Sequence, residues 1–212
     1  MSKLPNIAHK HKVCIICEGY EDYEYIKRLV SFNVWNQIYE FCLINAKSAS
    51  NIAGRYQDAY SNDRYEAVLI FCDTDKAPYR EYAQIKTKIN KFHDYRNAAN
   101  KVIIFANPCT MQIILMHFGE IILKNQGKKT NGTIIYDLTG IENYDAHEEQ
   151  IKELCSKIFK RTYPDMKKRV AEINCADTVS GSTNFINYIE NFEADNLKWI
   201  DNINKALLSK EQ

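Results

Sequence analysis

The chain has 212 residues, 45% of them hydrophobic, which suits one buried core and is short for two. Its 28 Lys and Arg against 27 Asp and Glu leave a net charge of +1, so no global basicity advertises a large duplex-binding surface. No apolar run reaches the roughly 18 residues of a membrane helix, and the longest, Met111 to Leu123, is broken by His117, Gly119 and Glu120. The seven cysteines are odd in number and scattered through apolar runs, which reads as reduced thiols in a cytoplasmic protein. The N-terminal MSKLPNIAHKHK has no signal-peptide core behind it.

Val13 to Cys17 is a continuous apolar run of strand length, and Asp22 to Phe32 then places Tyr25, Ile26, Leu29 and Val30 at helical spacing. Phe41 to Ala46 is the second run, with Ser50 as N-cap of a helix through Tyr60. Ala67 to Cys72 is the third, followed by Pro78 and a helix to Phe92. Lys101 to Ala106 is the fourth, ended by Asn107-Pro108, and an apolar helix is predicted from Thr110 to Leu123. Beyond a polar loop at Asn125 to Asn131, the β-branched Thr133 to Leu138 predicts an edge strand. From Ala146 the text turns helical, with Ile151, Leu154, Cys155, Ile158 and Phe159 on one face, and a further helical stretch covers Asn184 to Leu208. Runs that do not alternate suit strands buried on both faces, the parallel-sheet pattern. The expected fold is α/β: a doubly wound, mostly parallel sheet. Residues 1–124 form its core, and residues 125–212 add an edge strand and a helical C-terminal cap on the same domain.

In such sheets, ligands bind outside the carboxyl ends of the strands. The first strand ends in Glu18-Gly19 and the third in Asp73-Thr74-Asp75. Asp73 and Asp75, two apart, point to one side if the chain stays extended. Glu18 meets them if strands one and three are neighbours. Carboxylates are hard oxygen ligands suited to Mg²⁺ or Mn²⁺, and a cluster of them repels itself without a cation. A single Glu-Gly or Asp-x-Asp is also ordinary turn and cap chemistry, so the ordered pair carries the signal.

The text IICEG, an acidic and aromatic helix, and then LIFCDTD resembles the Toprim domain of topoisomerases, primases and OLD-type nucleases. IIFANPCTMQIILMHFG resembles more narrowly the NPCFE-type segment, with a later His, of RloB-like proteins, which are associated with bacterial and phage defence. Together these cover Val13 to Phe118, about half the chain. The resemblance implies that Glu18, Asp73 and Asp75 hold divalent metal for phosphodiester chemistry. It also brings in Asn107, Pro108, Cys109 and His117, with His117 orienting the Asn107 loop and both serving substrate, against the alternatives of a satisfied core histidine and a loop that only caps the next helix. The chain departs from that pattern at Met111, where the Glu of NPCFE would fall, and at Ile113.

Lys47, after the second strand, is a candidate phosphate ligand against the alternative of a solvated loop lysine. Lys124, Lys128 and Lys129 are the densest local basic cluster and, with nearby Tyr136, are a candidate contact for a nucleic-acid backbone against the alternative of a solvated loop, and Lys76 balances charge beside the acidic pair. Cys14 and Cys17 form a CxxC inside a strand, where residues three apart face opposite ways, so core packing is expected. Glu21 and Asp22 open the first helix, where acids suit the helix dipole and are also placed to assist catalysis. The leading expectation is a Mg²⁺- or Mn²⁺-dependent nuclease acting on DNA or RNA. Its rivals are an inactive Toprim-like module that binds a nucleotide or regulates a partner ATPase, and a flavodoxin-like domain in which Asp73 acts alone. A homodimer stays open.

Overall fold

The structure is a computed structural model that describes residues 10–75 and 78–209. Lys76 and most of the N-terminal basic stretch lie outside the described residues. Four strands, β1 (His11–Cys17), β2 (Tyr39–Asn45), β3 (Ala67–Asp73) and β4 (Ile103–Ala106), form one all-parallel sheet in the order β2-β1-β3-β4. Between them run α1 (Tyr20–Ser31), α2 (Ala49–Tyr60), α3 (Arg80–His93) and α4 (Ala98–Val102). Neighbours Ile70 and Phe71 point to opposite faces of the sheet and both are fully buried, so helices must cover both sides. Tyr25 of α1 packs on Phe71, while α2 and α3 pack on each other with Tyr56, Ile85 and Ile89 buried. The fold is therefore the expected doubly wound α/β sheet. No helix among the described residues is long and apolar enough to cross a membrane.

The strand order fixes where a ligand can enter. From β1 the chain moves outward to β2, then returns to β3 and moves the other way to β4. The order thus reverses between β1 and β3, and the helices that follow these two strands diverge there to leave a crevice.

The remaining helices are α5 (Met111–Leu115), α6 (Lys128–Thr139), α7 (Glu148–Lys157), α8 (Tyr163–Glu172), α9 (Phe185–Glu193) and α10 (Lys198–Leu208). Here the sequence reading needs several corrections. Thr133 to Leu138 is not an edge strand but lies inside α6, with Asn131, Ile135 and Thr139 buried at spacings of four and Gly140 closing the helix at φ 71°. Tertiary packing of that stripe overrides the β-branched propensity. The open edge of β4 is covered instead by residues 181–184. Thr183 bridges Ala106 in antiparallel sense, and the Asn184 amide accepts from the Phe105 N–H and donates to the Ile103 carbonyl, both at 2.8 Å.

The predicted helix from Thr110 to Leu123 stops at Leu115. The buried Gln112 side chain takes over from backbone pairing, donating to the Ile121 carbonyl and accepting from the Leu123 N–H, each at 2.7 Å. Ser48 rather than Ser50 is the N-cap of α2, and Lys101 and Val102 end α4 rather than begin β4. α7 starts at Glu148 and leaves Phe159 47% exposed, off the apolar face. The last helical stretch is two helices, and the link between them is held against β2 by the Tyr39 hydroxyl, which donates to the Asn196 carbonyl at 2.5 Å and lies 3.2 Å from that of Ala194.

Candidate functional site

Glu18 follows β1 directly, and its own N–H donates to the Phe71 carbonyl at 3.0 Å, extending the β1–β3 pairing by one residue. Its Oε2 accepts the Asp73 N–H at 3.0 Å. Strands one and three are neighbours as expected, and the Glu18 carboxylate reaches the Asp73 backbone at their ends. Asp73 Oδ1 in turn accepts the Thr110 N–H at 2.8 Å and lies 3.0 Å from the Thr110 hydroxyl. That hydroxyl also contacts Asp22 Oδ1. One hydroxyl proton serves only one carboxylate at a time, so Thr110 is shared between two acids. Asp22 Oδ2 accepts the Gly19 N–H at 2.8 Å, the bond an acid at the third helical position makes to its N-cap backbone.

Asp75 reaches the site differently from the expectation of strand alternation. β3 ends at Asp73, and Asp75 sits in the left-handed region at φ 61°, with its N–H donating to the Pro108 carbonyl at 3.0 Å. Asp73 and Asp75 nevertheless line one cavity of about 570 Å³ together with Glu21, Cys109, Met111 and Gln126. Glu18 stands behind Asp73 rather than in the cavity wall.

Burial first, and then mutual repulsion, pushes these acids up. Glu18 rises to about 8, with Asp22, Asp75 and Glu81 adding to burial and the Asp73 N–H opposing it. Asp22 rises to about 7, against the pull of Thr110 and Gly19. Asp73 goes well above the carboxylate range through burial and the charges of Asp22, Glu18 and Glu21. Asp75 and Glu21 are raised by burial as well. The Tyr144 hydroxyl, donating to Glu21 Oε1, and the charge of Lys128 pull Glu21 back.

Among the described residues, no three carboxylate, imidazole or thiol side chains already converge as a metal cage. The donor chemistry still fits a hard divalent cation. Glu18, Asp73 and Asp75 offer only oxygen, their charges repel with no cation between them, and buried Gln126 Oε1, in the cavity wall beside Asp75, has no hydrogen-bond partner among the described residues.

Three expected substrate residues stand elsewhere. His117 is buried at 3% exposure and burial lowers its pKa to about 3, so it is neutral. Thr162 spends its proton on the Phe159 carbonyl at 2.8 Å, so His117 Nδ1–H donates to the Thr162 oxygen at 2.9 Å and Nε2 accepts from the Tyr25 hydroxyl at 3.2 Å. It is a core link between α1 and the C-terminal region and does not orient the Asn107 loop. Replacing His117 by Leu should cost about 1–3 kcal/mol in urea unfolding, the price of an orphaned buried Tyr25 hydroxyl, with no change in metal affinity. A loss of metal binding without loss of stability would restore it to the site.

Asn107 is 1% exposed and turns its amide to the Asp177 carbonyl at 2.7 Å, tying the strand end to residues 174–183. Lys47 is exposed in a left-handed turn, φ 69°, and does not line the cavity. Cys14 and Cys17 are fully buried in the core, as expected, and Cys72 beside them.

Thr110, Tyr144 and Gln126 were not legible as site residues, and Lys128 and Lys129, read as a basic cluster for nucleic acid, were not placed beside the carboxylates. The proline of Asn107-Pro108 signals only a chain turn. The others arrive from residues 126–145, which fold back over the crevice. Fold and site together define a doubly wound α/β domain with an acidic crevice at the β1/β3 switch point. No family model, curated protein or solved structure matches the chain in comparison.

Proposed function

We propose that the chain is a metal-dependent phosphodiesterase of the Toprim kind, a nuclease acting on DNA or RNA in a defence setting, as its resemblance to RloB-like and OLD-type proteins implies. The observation that carries it is the coupling of Glu18 to Asp73 across β1 and β3 at the switch point, with Asp75 beside them. Glu18, Asp73 and Asp75 would hold Mg²⁺ or Mn²⁺, which supplies a lowered water pKa and a countercharge for the leaving oxygen.

The chain's own residues do the positioning. Thr110 fixes the Asp73 carboxylate through its N–H, and Asp22 steadies Thr110 from the far side. Glu21, pinned by Tyr144 in the cavity wall with a raised pKa, is the group placed to take a proton on its carboxylate. Seven unpaired cysteines support a reducing, cytoplasmic setting.

Met111, standing where the resemblance puts a Glu, favours a second reading: an inactive Toprim-like module that binds a nucleotide or regulates a partner ATPase. A panel of single- and double-stranded DNA, tRNA and cyclic oligonucleotides, with Mg²⁺ or Mn²⁺ and then with chelator, separates the two. Cleavage that stops on chelation supports the enzyme. Metal binding with no cleavage of any member supports the module.

A further inference from the structure

The acidic cavity does not end at its carboxylates. It shares Lys128, Lys129, Tyr144 and Asp145 with a second cavity of about 720 Å³ that runs along α6. Four lining residues of that groove, Lys129, Gly132, Thr133 and Tyr136, stand at helix spacings of three, four and seven, so they form one stripe on one face of α6. The stripe is basic at the end nearer the carboxylates and aromatic at the other, roughly 10 Å along the helix axis. Between the two ends the floor is low: a Cβ added at Gly132 would meet nothing within 4 Å.

Neither Lys128 nor Lys129 forms an ion pair within 4 Å among the described residues. The Lys128 ammonium donates to the Asp145 carbonyl at 3.2 Å, and its charge also reaches Glu21 in the acidic cavity. The Tyr136 ring is 49% exposed, in a protein that buries most of its large apolar side chains. An exposed aromatic at one end of a groove and two exposed cations at the other is an arrangement that takes a base and the phosphates that follow it. The facing wall carries Glu142 and Asp145. A duplex would press its second backbone against those acids, whereas a single strand meets only the lysine side.

We infer that the α6 groove carries the backbone of a single-stranded polynucleotide toward the acidic cavity, Lys128 and Lys129 holding phosphates and Tyr136 stacking a base. This rests on the phosphodiesterase reading of that cavity for its direction, and on the groove alone for the binding itself.

The test is fluorescence anisotropy of the full chain in EDTA, with labelled single-stranded oligo-dT, oligo-U and a duplex of the same length, over a range of salt. Single strands should bind at least tenfold tighter than duplex. The double variant Lys128→Ala, Lys129→Ala should weaken binding at least tenfold and flatten the log–log salt slope by about 1.4, since each single-strand phosphate contact is worth about 0.7. Tyr136→Ala should weaken binding about tenfold with the slope unchanged, and Tyr136→Phe should keep it. All three side chains are exposed, so unchanged melting temperatures check the fold. Absent single-strand binding, binding indifferent to these variants, or preference for duplex each overturns the groove. Calorimetry with Mn²⁺ on the same samples keeps the two readings apart. Metal binding without oligonucleotide binding sinks the groove and spares the site. Groove-dependent binding without metal binding does the reverse.

Discussion

Replacing Asp73 by Asn is expected to abolish cleavage while making the metal-free protein more stable at alkaline pH. The amide keeps an oxygen for the Thr110 N–H that Asp73 now accepts at 2.8 Å, and it removes one charge from a crowded set. Loss of a group one shell out from a metal already costs about 10–100-fold, so loss of a direct ligand should cost at least about a hundredfold in turnover. Stability moves the other way because the folded-state pKa values of Asp73, Glu18 and Asp22 are raised, chiefly by burial.

An acid raised on folding binds more protons in the native state than in the unfolded one. Its contribution is therefore intact below its unfolded value and is lost as pH rises toward its folded value. For Glu18 that window runs from 4.5 to about 8, and for Asp22 from 3.8 to about 7. Each group costs at most about 1.4 kcal/mol per pH unit inside its window. The wild-type chain without metal should therefore melt earlier at pH 8 than at pH 5. Asp73→Asn should melt later than wild type at pH 8, the gap closing near pH 4, and Mn²⁺ at pH 8 should raise the wild-type melting temperature far more than the variant's. A variant that still turns over, or that is less stable than wild type at pH 8 without metal, defeats the assignment of Asp73 as a ligand.

Replacing Met111 by Glu should tighten Mn²⁺ or Mg²⁺ binding by about tenfold or more and raise any phosphodiesterase activity. Methionine is a soft thioether that serves a hard cation poorly, and a carboxylate is the hard ligand such an ion prefers. Met111 opens α5 directly after Thr110, whose N–H holds Asp73, and its side chain lines the cavity with Asp73 and Asp75. At 4% exposure it is also packed, so the new carboxylate is buried and lowers metal-free stability by several kcal/mol unless a cation offsets it. Calorimetry with Mn²⁺ and thermal melts with and without metal read both effects. Lower stability that metal does not restore, with affinity unchanged, would make Met111 a packing residue only.

The sequence was sufficient wherever the determining pattern is short in range. Apolar runs without alternation marked β1, β2 and β3 to within two residues, and β1 and β3, buried on both faces, need no polar side. Acids directly after two of those strands marked Glu18, Asp73 and Asp75, since a parallel strand delivers its last residue to one edge of the sheet.

Tertiary structure decided what depends on chain returning from afar. Thr133 to Leu138 reads as a strand by its β-branched residues, yet the β4 edge it would have joined is taken by Thr183 and Asn184, and Ile135 is buried from a helix instead. Gln112 ends α5 by reaching carbonyl and amide groups near Leu123, a competition between side chain and backbone that no periodicity records. His117 looked like a site residue because of the resemblance to RloB-like proteins, and Asn107 because it follows a strand end. Each is instead consumed by a distant partner, Tyr25 and Thr162 for the one and the Asp177 carbonyl for the other. Lys128, Lys129 and Tyr144 became part of the acidic crevice only because the chain after Leu123 folds back across it. Local pattern sets which residues sit at a strand end, but which of them still has a free polar atom there depends on long-range partners that only the folded chain supplies.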